Sequence, residues 1–133
     1  MNHILVVEDD PFNAILFRKL LERRGAYRVT VSENAAAILE AVRGGVVDLV
    51  IMDVSLANTY WEGQPVNGTD LCRMLKSDPR SADVPVLLAT AHAMRGDAEK
   101  LLAESGAQGY VSKPILDHDA FLDQVRGLLR EAA

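Results

Sequence analysis

Near the start of the chain, Ile4-Leu5-Val6-Val7 runs without a polar interruption straight into three carboxylates, Glu8-Asp9-Asp10. A strand with one face in water alternates apolar and polar side chains, so an unbroken run is read as a strand covered on both faces. Such a strand belongs inside a parallel sheet between two layers of helix, and this one must deliver its acids to the sheet's carboxyl edge.

The pattern recurs along the chain. Apolar strands are expected at 46–47 continuing through 49–52, at 86–89 and, shorter, at 109–111, with a more exposed alternating strand at 27–31. Amphipathic segments separate them. Asp10 and Pro11 form an N-cap and first helical residue, Ala14, Phe17 and Leu21 share one face, and Gly25 ends the helix. Asn34 caps a second helix carrying Ile38, Ala41 and Val42, which stops at Gly44-Gly45. Thr69 opens a third with Leu71, Met74 and Leu75, and Pro79 lies just past its end. A fourth is expected at 97–105, and Asp117 caps a fifth whose Phe121, Val125, Leu128 and Leu129 form one stripe. Five strands alternating with five helices imply right-handed crossovers and a parallel α/β sheet covered on both faces. The 133 residues suit one domain, expected to span 1–133 and to leave nothing for an output domain.

Composition narrows the function classes. Cys72 is the sole cysteine, which excludes an internal disulfide and a zinc cluster and suits a reducing cytoplasm. Met1-Asn2-His3 leads into a short apolar run ending in acids, which is neither a signal peptide nor a membrane span. A net charge of −5 with no basic run argues against nucleic acid as a partner.

Ligand sites of open α/β sheets form beyond the carboxyl ends of the strands. The residues placed there are Glu8-Asp9-Asp10, Asp53, Thr90 and Lys113-Pro114. Adjacent parallel strands lie about 4.8 Å apart, so Asp9 and Asp53 converge if the first and third strands are neighbours. Two bare carboxylates about 4 Å apart repel by about 4 kcal/mol at an effective dielectric near 20. A positive partner has to sit between them, and a hard divalent cation with oxygen ligands suits best.

The set Glu8-Asp9, Asp53, Thr90 and Lys113-Pro114, each ending its own strand in this order, resembles the active site of response-regulator receiver domains of the CheY-like superfamily. The resemblance runs from Ile4 to about Arg130 and implies a doubly wound, flavodoxin-like five-stranded (βα)5 fold with strand order 2-1-3-4-5. It implies that Asp53 accepts a phosphoryl group as an aspartyl phosphate, in a reaction requiring Mg²⁺ or Mn²⁺. Asp9 would ligate the metal directly, Glu8 through water, and Ser55 through its main-chain carbonyl. Lys113 would pair with Asp53 and then with a phosphoryl oxygen, and Thr90 would hydrogen-bond another. Thr90 and Tyr110 match the switch pair, Ser55 and His92 occupy places that tune dephosphorylation, and the Lys113–Pro114 bond is expected to be cis. The implied donor is a sensor histidine kinase or histidine phosphotransfer protein, and the output is docking to a downstream protein. Such a chain is a switch rather than an enzyme, catalysing only its own phosphorylation and dephosphorylation. Asp10 is read as a helix cap, Cys72 as a core thiol, and His3 and His118 carry no signal.

One departure from the family stands beside Asp53. Receivers usually place a proline four residues beyond the acceptor and a glycine eight beyond it. Here Ala57 takes the proline's place and the matching glycine is Gly68, fifteen beyond Asp53, so seven residues have been added. The segment 57–67 contains the sole tryptophan and is rich in Asn, Gly and Pro, which predicts loop rather than strand or helix. Loops of this length are commonly functional, and Tyr60 and Trp61 are candidate partner contacts, against the alternative that they pack back on the domain.

Rival functions lack their residues. A haloacid-dehalogenase-type phosphatase would want an acid at Ser55, and a flavodoxin-like FMN carrier would want a Ser/Thr/Gly-rich loop where Glu8-Asp9-Asp10 stands. A receiver-like module that is never phosphorylated typically loses the acids or the lysine, and this chain keeps all of them.

Overall fold

The computed structural model describes residues 2–91 and 97–132. Its elements in order are β1 (His3–Val7), α1 (Pro11–Lys19) continued by a π-helical turn (Leu20–Arg24), β2 (Arg28–Ser32), α2 (Ala35–Arg43), β3 (Leu49–Asp53), a short pair β4 (Tyr60–Trp61) and β5 (Gln64–Pro65), α3 (Gly68–Lys76), β6 (Val86–Thr90), α4 (Asp97–Ser105), β7 (Gly109–Ser112) and α5 (His118–Ala132). Five strands form one parallel sheet in the order β2-β1-β3-β6-β7. With the hairpin strands set aside, this is the expected order 2-1-3-4-5.

Strand periodicity divides the core. On β1, β3 and β6, Ile4, Val6, Leu49, Ile51, Leu87 and Ala89 face one layer, packed with Phe17, Leu21, Phe121 and Val125 of α1, its π-helical extension and α5. The alternate residues Leu5, Val7, Val50, Met52, Val86 and Leu88 pack with Ile38, Leu39, Val42, Leu71 and Leu75 of α2 and α3. Both faces are covered, which is why these runs show no polar alternation. Among the described residues, no helix is long and apolar enough to cross a membrane.

Two local expectations are corrected. The segment 57–67 is not plain loop: β4 and β5 pair antiparallel, Tyr60 with Pro65 and Trp61 with Gln64. Glu62 and Gly63 at the tip both have positive φ, 51° and 80°, the backbone that a two-residue hairpin turn requires. The third helix begins at Gly68 rather than Thr69, because Asn67 and Asp70 cap each other's backbone N–H groups in a reciprocal box. Gly25 ends the first helix as expected; Ala26 follows at φ 57°, and a Cβ at Gly25 would fall 2.6 Å from the Tyr27 ring.

Candidate functional site

The carboxyl ends of β1, β3 and β6 come together with the segment after β7. The β1–β3 register pairs Val7 with Met52, so its next step sets Glu8 opposite Asp53. Glu8 continues the face of Ile4 and Val6, and Asp53 that of Leu49 and Ile51. Both acids therefore reach the same side of the sheet edge, and both are buried. One carboxylate oxygen from each of Glu8, Asp9 and Asp53 lies within 4.8 Å of the other two.

Lys113 neutralises part of this charge. Its side chain is 9% exposed, and Nζ lies 2.9 Å from Glu8 Oε1 and 3.0 Å from Asp53 Oδ1. The expected Lys113–Asp53 pair is present, but the lysine bridges two acids rather than serving one. The other Glu8 oxygen, Oε2, accepts the N–H groups of Asp9 and Asp10 at 3.1 and 3.2 Å. Asp53 Oδ1 also accepts the Ser55 N–H at 3.1 Å. The Lys113–Pro114 peptide is cis, and the Lys113 N–H donates to Thr90 O at 2.9 Å.

The electrostatics follow from these contacts. Burial and the neighbouring Glu8 carboxyl push Asp53 up to about 7, against the opposing pull of the Lys113 ammonium. Burial works against the charge on Lys113, yet Glu8 and Asp53 outweigh it and raise the lysine above its ordinary value. Burial also works against ionised Asp9, but the Ala57 N–H, then Asp53, the residue's own N–H and Glu8 together hold its carboxyl below the usual range.

The remaining predicted residues divide. Thr90 is buried at the end of β6, adjacent to Asp53 in strand order. Ser55 is exposed beside Asp53, and Tyr110 is 40% exposed on β7, its carbonyl accepting from Gln124 Nε2 at 3.0 Å. Asp10 caps α1 through the Phe12 N–H, as read from the sequence. Tyr60 is exposed, whereas Trp61 packs against the α2–α3 side of the core. His92 lies outside the described residues. Two contacts were not anticipated, Lys113 with Glu8 and the Ala57 N–H with Asp9 Oδ2 at 2.9 Å. The shared side-chain parity of Glu8 and Asp53 was the available signal for the first. The second depends on the path of the inserted segment, which carries no sequence signal for it.

Known proteins agree with this picture. The response regulator receiver domain model matches residues 4–126. The polar-differentiation response regulator DivK of Brucella anthropi is 33% identical over 129 residues, covering 97% of each chain. The receiver domain of the sensor histidine kinase PA1611 from Pseudomonas aeruginosa PAO1 has magnesium coordinated in its active-site cleft. It aligns with a TM-score of 0.74 at 25% identity over 98% of this chain and 95% of that one. A sensor protein from Polaromonas sp. JS666 aligns with a TM-score of 0.81 at 26% identity, over 99% and 98% of the two chains. By family match and by overall likeness to these relatives, the chain belongs to the response regulator receiver domains of phosphorylation-based two-component signalling.

Proposed function

We propose that Asp53 is the phospho-acceptor of a switch charged by a phosphohistidine on a sensor kinase or phosphotransfer protein. One observation carries the reading: a buried carboxylate at the end of a central strand, 3.0 Å from an ammonium and within reach of two further acids. An Asp53 oxygen attacks phosphorus in line, the phosphorus–nitrogen bond of the donor breaks, and the histidine leaves with that electron pair and takes up a proton.

The donor set suits a hard cation, since it is all carboxylate oxygen and carries more negative charge than Lys113 balances. Asp9 and Asp53 would hold Mg²⁺ or Mn²⁺ with the Ser55 carbonyl, and Glu8 would reach it through water. The magnesium in the PA1611 cleft supports that assignment. When bound, the metal neutralises charge developing on the phosphoryl oxygens. Lys113 keeps Asp53 oriented beforehand and afterwards binds a phosphoryl oxygen, while Thr90 donates to another. Thr90 then moves inward and Tyr110, exposed on β7, turns into the space vacated, changing the surface offered to a downstream protein. Ser55 and His92 tune the lifetime of the aspartyl phosphate.

We read the chain as one receiver domain that catalyses only its own phosphorylation and dephosphorylation and signals by docking. The single buried free thiol, Cys72, fits a reducing compartment, and we place the protein in the cytoplasm. Incubation with Mg²⁺ and acetyl phosphate, followed by intact mass, tests the core of this reading. The parent gains one phosphoryl group, while Asp53→Asn, or the parent in EDTA, gains none. An adduct that survives in Asp53→Asn, or undiminished labelling in EDTA, overturns it.

A further inference from the structure

The inserted segment touches the acid cluster at its near end and closes back beside it at its far end. At its far end the Gly68 N–H donates to Val54 O at 3.0 Å, which returns the chain to the residue after Asp53. At its near end the Ala57 N–H donates to Asp9 Oδ2 at 2.9 Å. Receivers usually carry proline at this place, and proline has no N–H to give. The donor exists here because the residue is alanine.

A backbone donor orients a carboxylate only if the backbone itself is held, and this one is held by the hairpin. Thr59 is 2% exposed, and its Oγ1 donates to the Glu33 carbonyl at 2.9 Å, tying the segment to the residue before the α2 cap. The Thr59 carbonyl accepts the Val66 N–H at 3.0 Å and closes the hairpin. Leu56, Trp61 and Val66 pack on the same side of the core. Without these anchors, an exposed segment of this length would sample many conformations and lose the Asp9 contact.

We propose that the inserted hairpin belongs to the metal-binding apparatus: anchored through Thr59 and Trp61, it uses the Ala57 N–H to position Asp9 for a divalent cation. Ala57 is a positioning residue in this scheme. With one oxygen of Asp9 tied down, the carboxylate keeps one orientation and its remaining lone pairs stay available. Partners that orient metal ligands in this way typically contribute about tenfold or more to affinity.

The proposal rests on Asp9 being a metal ligand, and the test separates the two. Mn²⁺ alone is titrated into the parent, Asp9→Asn, Ala57→Pro and Thr59→Val, with free metal read by electron paramagnetic resonance and folding checked by circular dichroism. Ala57→Pro is expected to weaken Mn²⁺ binding about tenfold, and Thr59→Val, which keeps the donor but releases the anchor, severalfold. In metal-free protein, hydrogen exchange at the Ala57 amide is expected to accelerate in Asp9→Ala, which removes the acceptor. A parent that binds no Mn²⁺, or an Asp9→Asn that binds it equally well, defeats the metal assignment and the proposal with it. Binding that is lost in Asp9→Asn but unchanged in folded Ala57→Pro and in Thr59→Val defeats the hairpin's role alone. If Ala57→Pro does not fold, Thr59→Val with parental affinity, or an Ala57 amide indifferent to Asp9→Ala, has the same force.

Discussion

A Cβ built on Gly68 falls 1.9 Å from the carbonyl oxygen of Asp53. The first turn of α3 thus rests on the main chain of the proposed phospho-acceptor, with Met52 Cγ also only 2.9 Å from that Cβ position. Helix propensity alone forecasts that Gly68→Ala stabilises by about 1 kcal/mol. Overpacking against backbone, which cannot turn aside as a side chain can, forecasts a loss of about 3 kcal/mol or more. The second effect wins. Urea unfolding should place Gly68→Ala below the parent, and acetyl-phosphate labelling should fall because relief of the clash moves Asp53 or α3. A variant as stable as the parent would mean that α3 does not sit against Asp53.

The buried acids make metal-free stability depend on pH in an unusual direction. Asp53 rises from an ordinary 3.8 to about 7 through burial and Glu8. Between those values the folded protein holds a proton on Asp53 that the unfolded chain has released, so stability falls as pH rises. One such proton corresponds to a slope of about 1.4 kcal/mol per pH unit. Relative to Asp53→Asn, the parent in EDTA should lose stability from about pH 4 to about pH 7 and run parallel above that. Adding Mg²⁺ at neutral pH should recover stability in the parent and much less in the variant, because a ligand that binds only the folded state stabilises it. Denaturant midpoints across that range check both statements, and a parent that loses stability relative to Asp53→Asn as pH falls would reverse the assignment.

Much of the architecture could be read from residues alone because each central strand is apolar on both faces and ends in a chemically distinctive residue. Ile4-Leu5-Val6-Val7 before Glu8, and Leu49 to Met52 before Asp53, are the clearest cases. The hairpin was hidden for physical reasons. Its strands are two residues each, too short to show alternation, and Glu62-Gly63 is not among the Asn-Gly or Asp-Gly pairs that announce such a turn. The Asn67–Asp70 capping box was visible as a spacing, yet Thr69 is also a good cap and competed for the helix start. The pairing of Lys113 with Asp53 is legible in the sequence, but its contact with Glu8 is not, because strand ends taken one at a time conceal which side chains share a face. Side-chain parity combined with strand register restores that information.

The two aromatic residues of the hairpin, alike in sequence, have different environments. Trp61 is partly buried against the α2–α3 side of the core, while its neighbour Tyr60 is 58% exposed. Adjacent strand residues point to opposite faces, so one anchors the hairpin and the other is left for a partner. Trp61→Ala should therefore cost about 2 kcal/mol of stability, below the loss for a fully buried aromatic, and should raise amide exchange along 57–67. Tyr60→Ala should change stability by no more than about 0.5 kcal/mol. It should also leave acetyl-phosphate labelling intact, since that small donor needs no protein surface. Phosphotransfer from the cognate kinase, or binding to the downstream target, should weaken in Tyr60→Ala. Parental behaviour in both partner assays would show that Tyr60 takes no part in recognition, and a Trp61→Ala protein as stable as the parent would show that the hairpin is held without it.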